Sequence, residues 1–279
     1  MVCCLILVTA FTRPCLAAGI LAQDGTDEIS DWRDFRLTGR EIWFRTTHPT
    51  LKEGLGYAGL TLAALYLERN KFDLAGETRE DRSHASDALA ARFRPLGEAI
   101  VPLAALTTWA VGRFSGSDRT RQAGLILTES AAFTALATEV GQFVLWEQRP
   151  SDGGKLSLFS YGGHGISGHT SIIASISVPL DRLFFRVEPG DSGWMKTSKY
   201  LGKGVVYAVP VITGWSRVND DKHYAWNVVL GLGVGFTVGR LVSESHGLGG
   251  DNSDDRNWKL VPISDDHGAR GIGVRWSLR

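Results

Sequence analysis

The amino-acid sequence predicts an all-α fold, a helical bundle of about six core helices followed by a short C-terminal β-hairpin. The chain has 279 residues, which is enough to bury a full core. The tail contains two short runs, NWKLVPI and IGVRWSL, on either side of a polar stretch with glycine, and this pattern predicts the hairpin. Helices are favoured elsewhere because the apolar segments are too long for strands and do not alternate strictly. These segments cover residues 54–67, 99–113, 122–147, 168–184, 201–215 and 223–242.

The first 23 residues are predicted to be a signal peptide, because a short apolar stretch is followed by small residues. All three cysteines, Cys3, Cys4 and Cys15, lie within this segment. Its removal would leave a mature chain without cysteine, which excludes a disulfide framework, a thiolate metal site and a cysteine nucleophile. The sequence therefore predicts an exported protein, periplasmic or associated with the cell envelope.

The rest of the chain is predicted to form a lead segment over residues 24–53, the bundle over 54–246, and the hairpin-containing tail over 247–279. Thr50 is a candidate N-cap for the first core helix. Residues 68–98 form a charged connector with a short helix around SDALAARF. Gly231, Gly235 and Gly239 recur every four residues in the last segment and predict a groove for close helix packing.

Charge and hydropathy limit the classes of partner. The 30 basic and 30 acidic residues cancel and are scattered along the chain, which excludes a nucleic-acid-binding surface. The longest stretch without a charge or histidine, from Tyr224 to Gly239, has 16 residues. A membrane-spanning helix needs about 17 to 25 apolar residues. This comparison favours a soluble or peripheral bundle that contacts the membrane surface, with an integral membrane protein as the alternative.

Two arginines and two histidines lie at predicted helix boundaries. Arg149 closes the third segment, His169 opens the fourth, Arg217 closes the fifth and His223 opens the sixth. In an up-and-down bundle these four helix ends meet at the same end of the molecule. The sequence therefore predicts that the four side chains converge on one pocket.

Such a pocket suits phosphate chemistry. Two guanidinium groups match the oxygens of a phosphate, and the backbone N–H groups of Ser167 and Gly168, at a helix start, would add donors. One histidine can attack phosphorus while the other protonates the leaving oxygen, which divides hydrolysis into two steps through a phosphohistidine. This chemistry requires no metal.

The arrangement resembles the type 2 phosphatidic acid phosphatase (PAP2) and vanadium haloperoxidase superfamily over about residues 120–242. That family's first motif is a lysine, six residues and Arg-Pro; its second is Pro-Ser-Gly-His. The third is Ser-Arg, five residues, a histidine, three residues and an aspartate. The matching residues of this chain are Arg149 and Pro150; Ser167, Gly168 and His169; and Ser216, Arg217 and His223.

The resemblance implies a role for each of these residues. His223 would be the nucleophile and His169 the general acid. The implied phosphate-binding residues are Arg149, Arg217, Ser167, Gly168, Ser216 and the residue at the lysine position, Gln142.

Three positions depart from the family motifs. Gln142 replaces the lysine and so removes a cation, Ile166 replaces the proline, and Asn227 replaces the aspartate. Because Asn227 follows His223 by four residues, we expect it to lie beside the imidazole and to orient it through its amide oxygen. On this interpretation Asn227→Asp would raise turnover.

The sequence therefore predicts a phosphatase that hydrolyses a phosphate monoester or pyrophosphate. A lipid substrate is favoured by the resemblance and by the apolar helices, and no cofactor or metal is predicted. Two alternatives stay open. One is a haloperoxidase that binds vanadate in the same pocket, and the other is a non-catalytic bundle that only binds phosphate.

Overall fold

The structure is a computed structural model that describes residues 31–248, 258–264 and 270–276. The predicted signal peptide and the three cysteines lie outside the described residues. Helices form most of residues 31–248 and are numbered here in chain order. They are α1 (Asp31–Thr47), α2 (Leu51–Arg69), α3 (Lys71–Glu80), α4 (His84–Phe93), α5 (Ile100–Ser115), α6 (Asp118–Val144), α7 (Gly168–Phe184), α8 (Gly193–Asn219) and α9 (Ala225–Ser245).

The predicted all-α bundle is confirmed, since α2 and α5 to α9 coincide with the six apolar segments. The predicted N-cap at Thr50 is also confirmed: its hydroxyl accepts a hydrogen bond from the backbone N–H of Glu53, whose carboxylate accepts one from the N–H of Thr50. The helix predicted within the charged connector is α4, and Ser83 caps it in the same reciprocal way with Ser86.

The compact bundle covers Phe35–Leu248 and so begins earlier than the predicted residue 54. The extension is α1, which packs into the core through Phe35. The Phe35 ring stacks on Phe133 of α6 with a centroid separation of 4.5 Å. Val238 and Val242 of α9 belong to the same buried cluster as Phe133.

Helix α9 packs closely along α7, as the glycine spacing predicted. A Cβ added at Gly235 or Gly239 would lie only 2.3 or 2.0 Å from the carbonyl oxygens of Ser171 and Ser175, and Gly231 makes a similar approach one turn earlier. Small residues therefore let the two backbones nearly touch. This contact brings the N-termini of α7 and α9 together at one end of the bundle.

Two antiparallel hairpins accompany the helices. The first, not predicted from the sequence, pairs β1 (Leu145–Glu147) with β2 (Leu156–Leu158) directly after α6. The second is the predicted C-terminal hairpin, in which β3 (Trp258–Ser264) pairs with β4 (Arg270–Trp276). It belongs to a separate compact unit.

Three helical stretches of the described chain are long and apolar enough to cross a membrane, judged by length and composition: His84–Ser115, Asp118–Val144 and Ala225–Ser245. Large apolar side chains of α5 are exposed, including Leu103 at 58% and Phe114 at 89%. Glu129, one of the two charges that interrupt the apolar segment of α6, is fully buried, whereas the other, Glu139, is exposed. These features favour membrane association over the soluble bundle that run length suggested.

Candidate active site

A glycine-rich loop between β2 and α7 lies against β1 and carries His164. A Cβ at Gly163 would lie 2.4 Å from the Trp146 ring, and one at Gly165 would lie 1.6 Å from the carbonyl oxygen of Leu145. Only glycine permits this approach on both sides of His164. The N–H of His164 donates to the carbonyl of Glu147 at 2.9 Å, which fixes the loop on the strand.

His223 lies between α8 and α9 and is 7% exposed. Its Nδ1 lies 3.1 Å from the carbonyl oxygen of His164. A carbonyl can only accept a hydrogen bond, so Nδ1 carries the proton and Nε2 keeps its lone pair. Burial, and then the charge of Arg217, lower the pKa of His223 to about 3. The ring is therefore neutral at physiological pH, and the predicted nucleophile has a fixed tautomer.

The two arginines contribute hydrogen-bond donors that are unpartnered. Arg217 is 6% exposed, and its Nε and Nη1 have no hydrogen-bond partner among the described residues. Asp220 forms an ion pair with Nη1 at 3.8 Å, which is too long for a hydrogen bond. The buried Nε of Arg149 likewise has no partner in the described part of the chain.

The site side chains lie close enough to influence one another's pKa values. The positive charge of Arg217 lowers the pKa of both His169 and His223, and Arg149 lowers the pKa of His164 and His169. Burial is the largest cause in each case, and it also lowers the pKa of Arg217 itself. Buried unsatisfied donors are costly, so a cluster of them beside two histidines is typical of an anion site.

His169 is the second residue of α7, next to Gly168 at the helix N-terminus. Its Nε2 lies 3.3 Å from Oε1 of Glu98. The first N–H groups of a helix have no partner within it, so the Gly168 end of α7 adds favourable polarity for an anion. Glu98 was not among the residues predicted from the sequence.

Three predicted phosphate ligands make internal hydrogen bonds instead. The backbone N–H of Ser167 donates to the carbonyl of Asn227 at 3.1 Å, and its hydroxyl lies 2.9 Å from that of Thr170. The hydroxyl of Ser216 donates to the backbone of its own helix at 2.7 Å. The amide of Gln142 donates to the carbonyl of Ile166 at 2.8 Å. These residues support the site rather than offer donors to a ligand.

The predicted contact between Asn227 and the imidazole of His223 is wrong. The amide oxygen of Asn227 accepts from the N–H of Tyr224 at 2.8 Å, while its nitrogen donates to Glu147 at 2.8 Å and to the carbonyl of Gly165 at 2.9 Å. His223 precedes α9, which begins at Ala225, so the helical spacing assumed for the two residues does not hold. Capping of α9 and the buried Glu147 occupy the Asn227 amide. The carbonyl of His164 orients His223 instead.

Sequence reasoning also missed a buried ion pair beneath the site. Lys71 of α3 is 6% exposed and Glu147 of β1 is 1% exposed. Nζ of Lys71 donates to Glu147 at 2.7 Å and to the carbonyl of Gly154 at 3.1 Å. Burial raises the pKa of Glu147, and the contacts with Lys71 and Asn227 act in the opposite direction. No motif relates positions 71 and 147, and only packing brings them together.

A cavity of about 200 Å³ opens beside His223. Helix α3 forms one wall and the start of α9 forms the other. Its polar lining includes Lys71, Glu77, Thr78 and Asp221. Arg149, Arg217 and His169 are not among its lining residues, whereas the carboxylates of Glu77, Asp81 and Asp221 are. This cavity is therefore not the pocket of the two arginines.

Residues 124–248 match the model of the PAP2 superfamily. The match confirms the predicted resemblance, and its range contains every site residue predicted from the sequence. It supports a phosphatase of this superfamily. The structure is similar to the crystal structure of a transmembrane PAP2-type phosphatidylglycerolphosphate phosphatase from Bacillus subtilis. The two share 16% identity, the match covers 68% of this chain and 95% of that one, and the TM-score is 0.47. No curated protein matches the chain.

Proposed function

We propose that this protein is a metal-independent phosphatase that acts on a lipid phosphate monoester or pyrophosphate through a phosphohistidine. The observation that carries the proposal is a set of buried N–H groups of Arg149 and Arg217, beside a neutral His223, that have no hydrogen-bond partner among the described residues. A phosphoryl group would accept hydrogen bonds from these guanidinium groups, each charge-assisted and worth about 1.5 to 3 kcal/mol.

In the first step Nε2 of His223 attacks phosphorus with its lone pair. A P–N bond forms as the P–O bond to the leaving group breaks, and His169 gives its proton to the departing oxygen. The carbonyl of His164 accepts a hydrogen bond from the Nδ1–H of His223 throughout and stabilises the positive charge that develops on the ring. The arginines hold the equatorial oxygens, where charge accumulates.

In the second step water hydrolyses the phosphohistidine. His169, now neutral, takes a proton from the attacking water, and the P–N bond breaks to release inorganic phosphate and the neutral His223 ring. Both histidines return to their starting protonation states. All the groups required come from this chain, so the cycle needs no metal ion.

Exposed apolar side chains near the site support a lipid substrate. Leu158, Phe159 and Tyr161, on and after the β1–β2 hairpin, are 58%, 67% and 86% exposed. Exposed aromatic residues next to long apolar helices are typical of a membrane–water interface. A lipid phosphate held in the bilayer would present its headgroup at this level. We further propose that the chain is exported and associated with the cell envelope, as its N-terminal segment predicts.

The proposal is tested by assaying the purified full chain, in detergent with EDTA, on phosphatidic acid, an isoprenyl pyrophosphate and p-nitrophenyl phosphate. We expect turnover of at least one lipid phosphate. His223→Ala should lose about three orders of magnitude or more, as nucleophile variants do. The exposed His48, in the linker before α2, provides the matched control, and His48→Ala should retain activity. A strict requirement for a divalent ion, or vanadate-dependent halide oxidation without phosphate release, would overturn the proposal.

A further inference from the structure

A short segment before α5, Arg94–Glu98, contacts the end of α8 and the start of α7 and is called the strap here. Nε and Nη2 of Arg94 donate to the same oxygen of Asp220 at 3.1 and 2.8 Å, at the end of α8. At the other end of the strap, Oε1 of Glu98 lies 3.3 Å from Nε2 of His169. The strap therefore joins the helix end that carries Arg217 to the helix start that carries His169.

The strap lies directly on His169. A Cβ added at Gly97 would lie 2.5 Å from Cβ of His169 and 2.8 Å from its carbonyl oxygen. No other residue fits in this position without displacing the strap. Backbone packing at Gly97 and the hydrogen bonds of Arg94 to Asp220 therefore hold the backbone of Glu98 next to the imidazole of His169.

We propose that Glu98 is a positioning residue for the general acid, orienting the His169 ring and pairing with its imidazolium form. This inference rests on the proposed function, in which His169 protonates the leaving group. With Nε2–H donating to Glu98, the Nδ1 proton of the imidazolium is the one that passes to the leaving oxygen. Glu98 keeps its charge through the cycle and transfers no proton.

The charges around His169 explain why such a residue is needed. Burial lowers the pKa of His169, and Arg217 and Arg149 lower it further because their charges repel the imidazolium. The hydrogen bond and charge of Glu98 act in the opposite direction. The neighbouring His223 is neutral. Glu98 therefore offsets part of the effect by which burial and the two arginines lower the pKa of His169.

The test is Glu98→Gln in the full chain, with kcat/KM measured from pH 4 to 9 on the phosphoester that the wild type hydrolyses. We expect the decline on the basic side to move about half a pH unit lower, as suits a solvent-screened pair. Glu98→Asp should restore part of the difference, and salt should reduce it. Ionisation of the substrate is common to all variants and cancels in the comparison.

Glu188→Gln is the matched control. Glu188 is 56% exposed, as Glu98 is, and it pairs with Arg186 at 3.4 Å beyond the opposite end of α7. This variant should leave the pH profile unchanged. A uniform fall in kcat/KM for Glu98→Gln, with the basic limb in its wild-type position, would overturn the proposal and indicate a structural role.

A second readout separates this inference from the proposed function. The His169 imidazole is titrated by NMR in histidine-labelled protein, with the signal assigned from its loss in His169→Gln. We expect Glu98→Gln to lower the midpoint by a similar half unit. An unchanged midpoint overturns the role of Glu98 whether or not the wild type turns over substrate. A wild type that is inactive on the panel, with a shifted midpoint, overturns only the proposed function.

Discussion

Replacing Arg217 by methionine should stabilise the phosphate-free protein while abolishing phosphate binding. Arg217 is 6% exposed, and two of its guanidinium nitrogens have no hydrogen-bond partner in the described chain. Each unsatisfied buried N–H costs about 1 to 3 kcal/mol. Methionine would remove both and fill much of the space of the arginine stem. Asp220 would not be left unpaired, because Arg94 donates two hydrogen bonds to it.

The net gain should be about 1 to 3 kcal/mol, less than the sum of the two unsatisfied groups, because the Arg217–Asp220 attraction is lost as well. Added phosphate should reduce this difference in stability, because it binds the wild type and not the variant. A ligand at ten times its Kd stabilises the binding-competent protein by about 1.4 kcal/mol. The wild type should therefore gain stability on addition of inorganic phosphate or vanadate, and Arg217→Met should not.

The assay is thermal unfolding of both proteins in one detergent, with and without phosphate. Arg186→Met serves as the control, because Arg186 is 62% exposed and lies beyond the far end of α7, and it should change stability by less than about 0.5 kcal/mol. An Arg217→Met protein that melts lower than the wild type without phosphate would contradict the assignment of these donors as unsatisfied. Equal stabilisation of the wild type and Arg217→Met by phosphate would contradict the role of the Arg217 guanidinium group in binding phosphate.

Three further predictions concern the interior of the site. Asn227→Asp should destabilise the protein by several kcal/mol rather than raise turnover, because it places a second carboxylate 2.8 Å from the buried carboxylate of Glu147. Thermal unfolding measures this loss, and a variant that is faster than the wild type and equally stable would contradict the prediction. Lys71→Met should cost about 3 to 5 kcal/mol by leaving Glu147 unpaired, and adding Glu147→Gln should recover part of the loss in the same assay. The reaction needs a neutral His223, whose pKa is about 3, and a protonated His169, whose pKa is lowered from the usual 6.5. The value of kcat/KM should therefore be highest between these two pKa values and should fall as the pH rises through the pKa of His169. A pH optimum above 8 would exclude these assignments.

The sequence predicted the fold well because its strongest signals are local. Long apolar segments and the Thr50 cap depend on neighbouring residues, and the observed helices follow them within four positions at every boundary except the start of α8, which is eight residues earlier. The β1–β2 hairpin was missed because strands of three residues are too short to show alternation. Membrane association was underestimated because charges that the fold buries, such as Glu129, still interrupt a run of sequence.

The site was predictable only where a motif fixed both residue type and helix end. That information identified Arg149, Arg217, His169 and His223, although Arg149 follows β1 rather than the end of α6 and His223 precedes α9. It could not show the partners that orient them, since the His164 carbonyl is a backbone group in a loop and leaves no trace in residue identity. Long-range packing supplies the others: Lys71 and Glu147 are 76 positions apart, and Glu98 and His169 are 71 apart.

The four-residue spacing between His223 and Asn227 illustrates a different limit. Residues four apart share a face only within a helix, and His223 precedes α9, which begins at Ala225. The atoms of the Asn227 amide are also already engaged. The carboxylate of Glu147, the N–H of Tyr224 and the carbonyl of Gly165 occupy the Asn227 amide. The motif therefore identified Asn227 as a residue near the site but did not predict its hydrogen-bond partners.

Direct detection of the covalent intermediate tests the central role of His223. His169→Ala should accumulate it with p-nitrophenyl phosphate, because this leaving group needs little protonation while the second step lacks its base. The protein is quenched in alkali after brief reaction, digested, and analysed by mass spectrometry. We expect phosphate on His223 in His169→Ala, and none in the His169→Ala/His223→Ala double variant. Phosphate on another residue, or steady phosphate release by the double variant, would contradict the assignment of His223 as nucleophile.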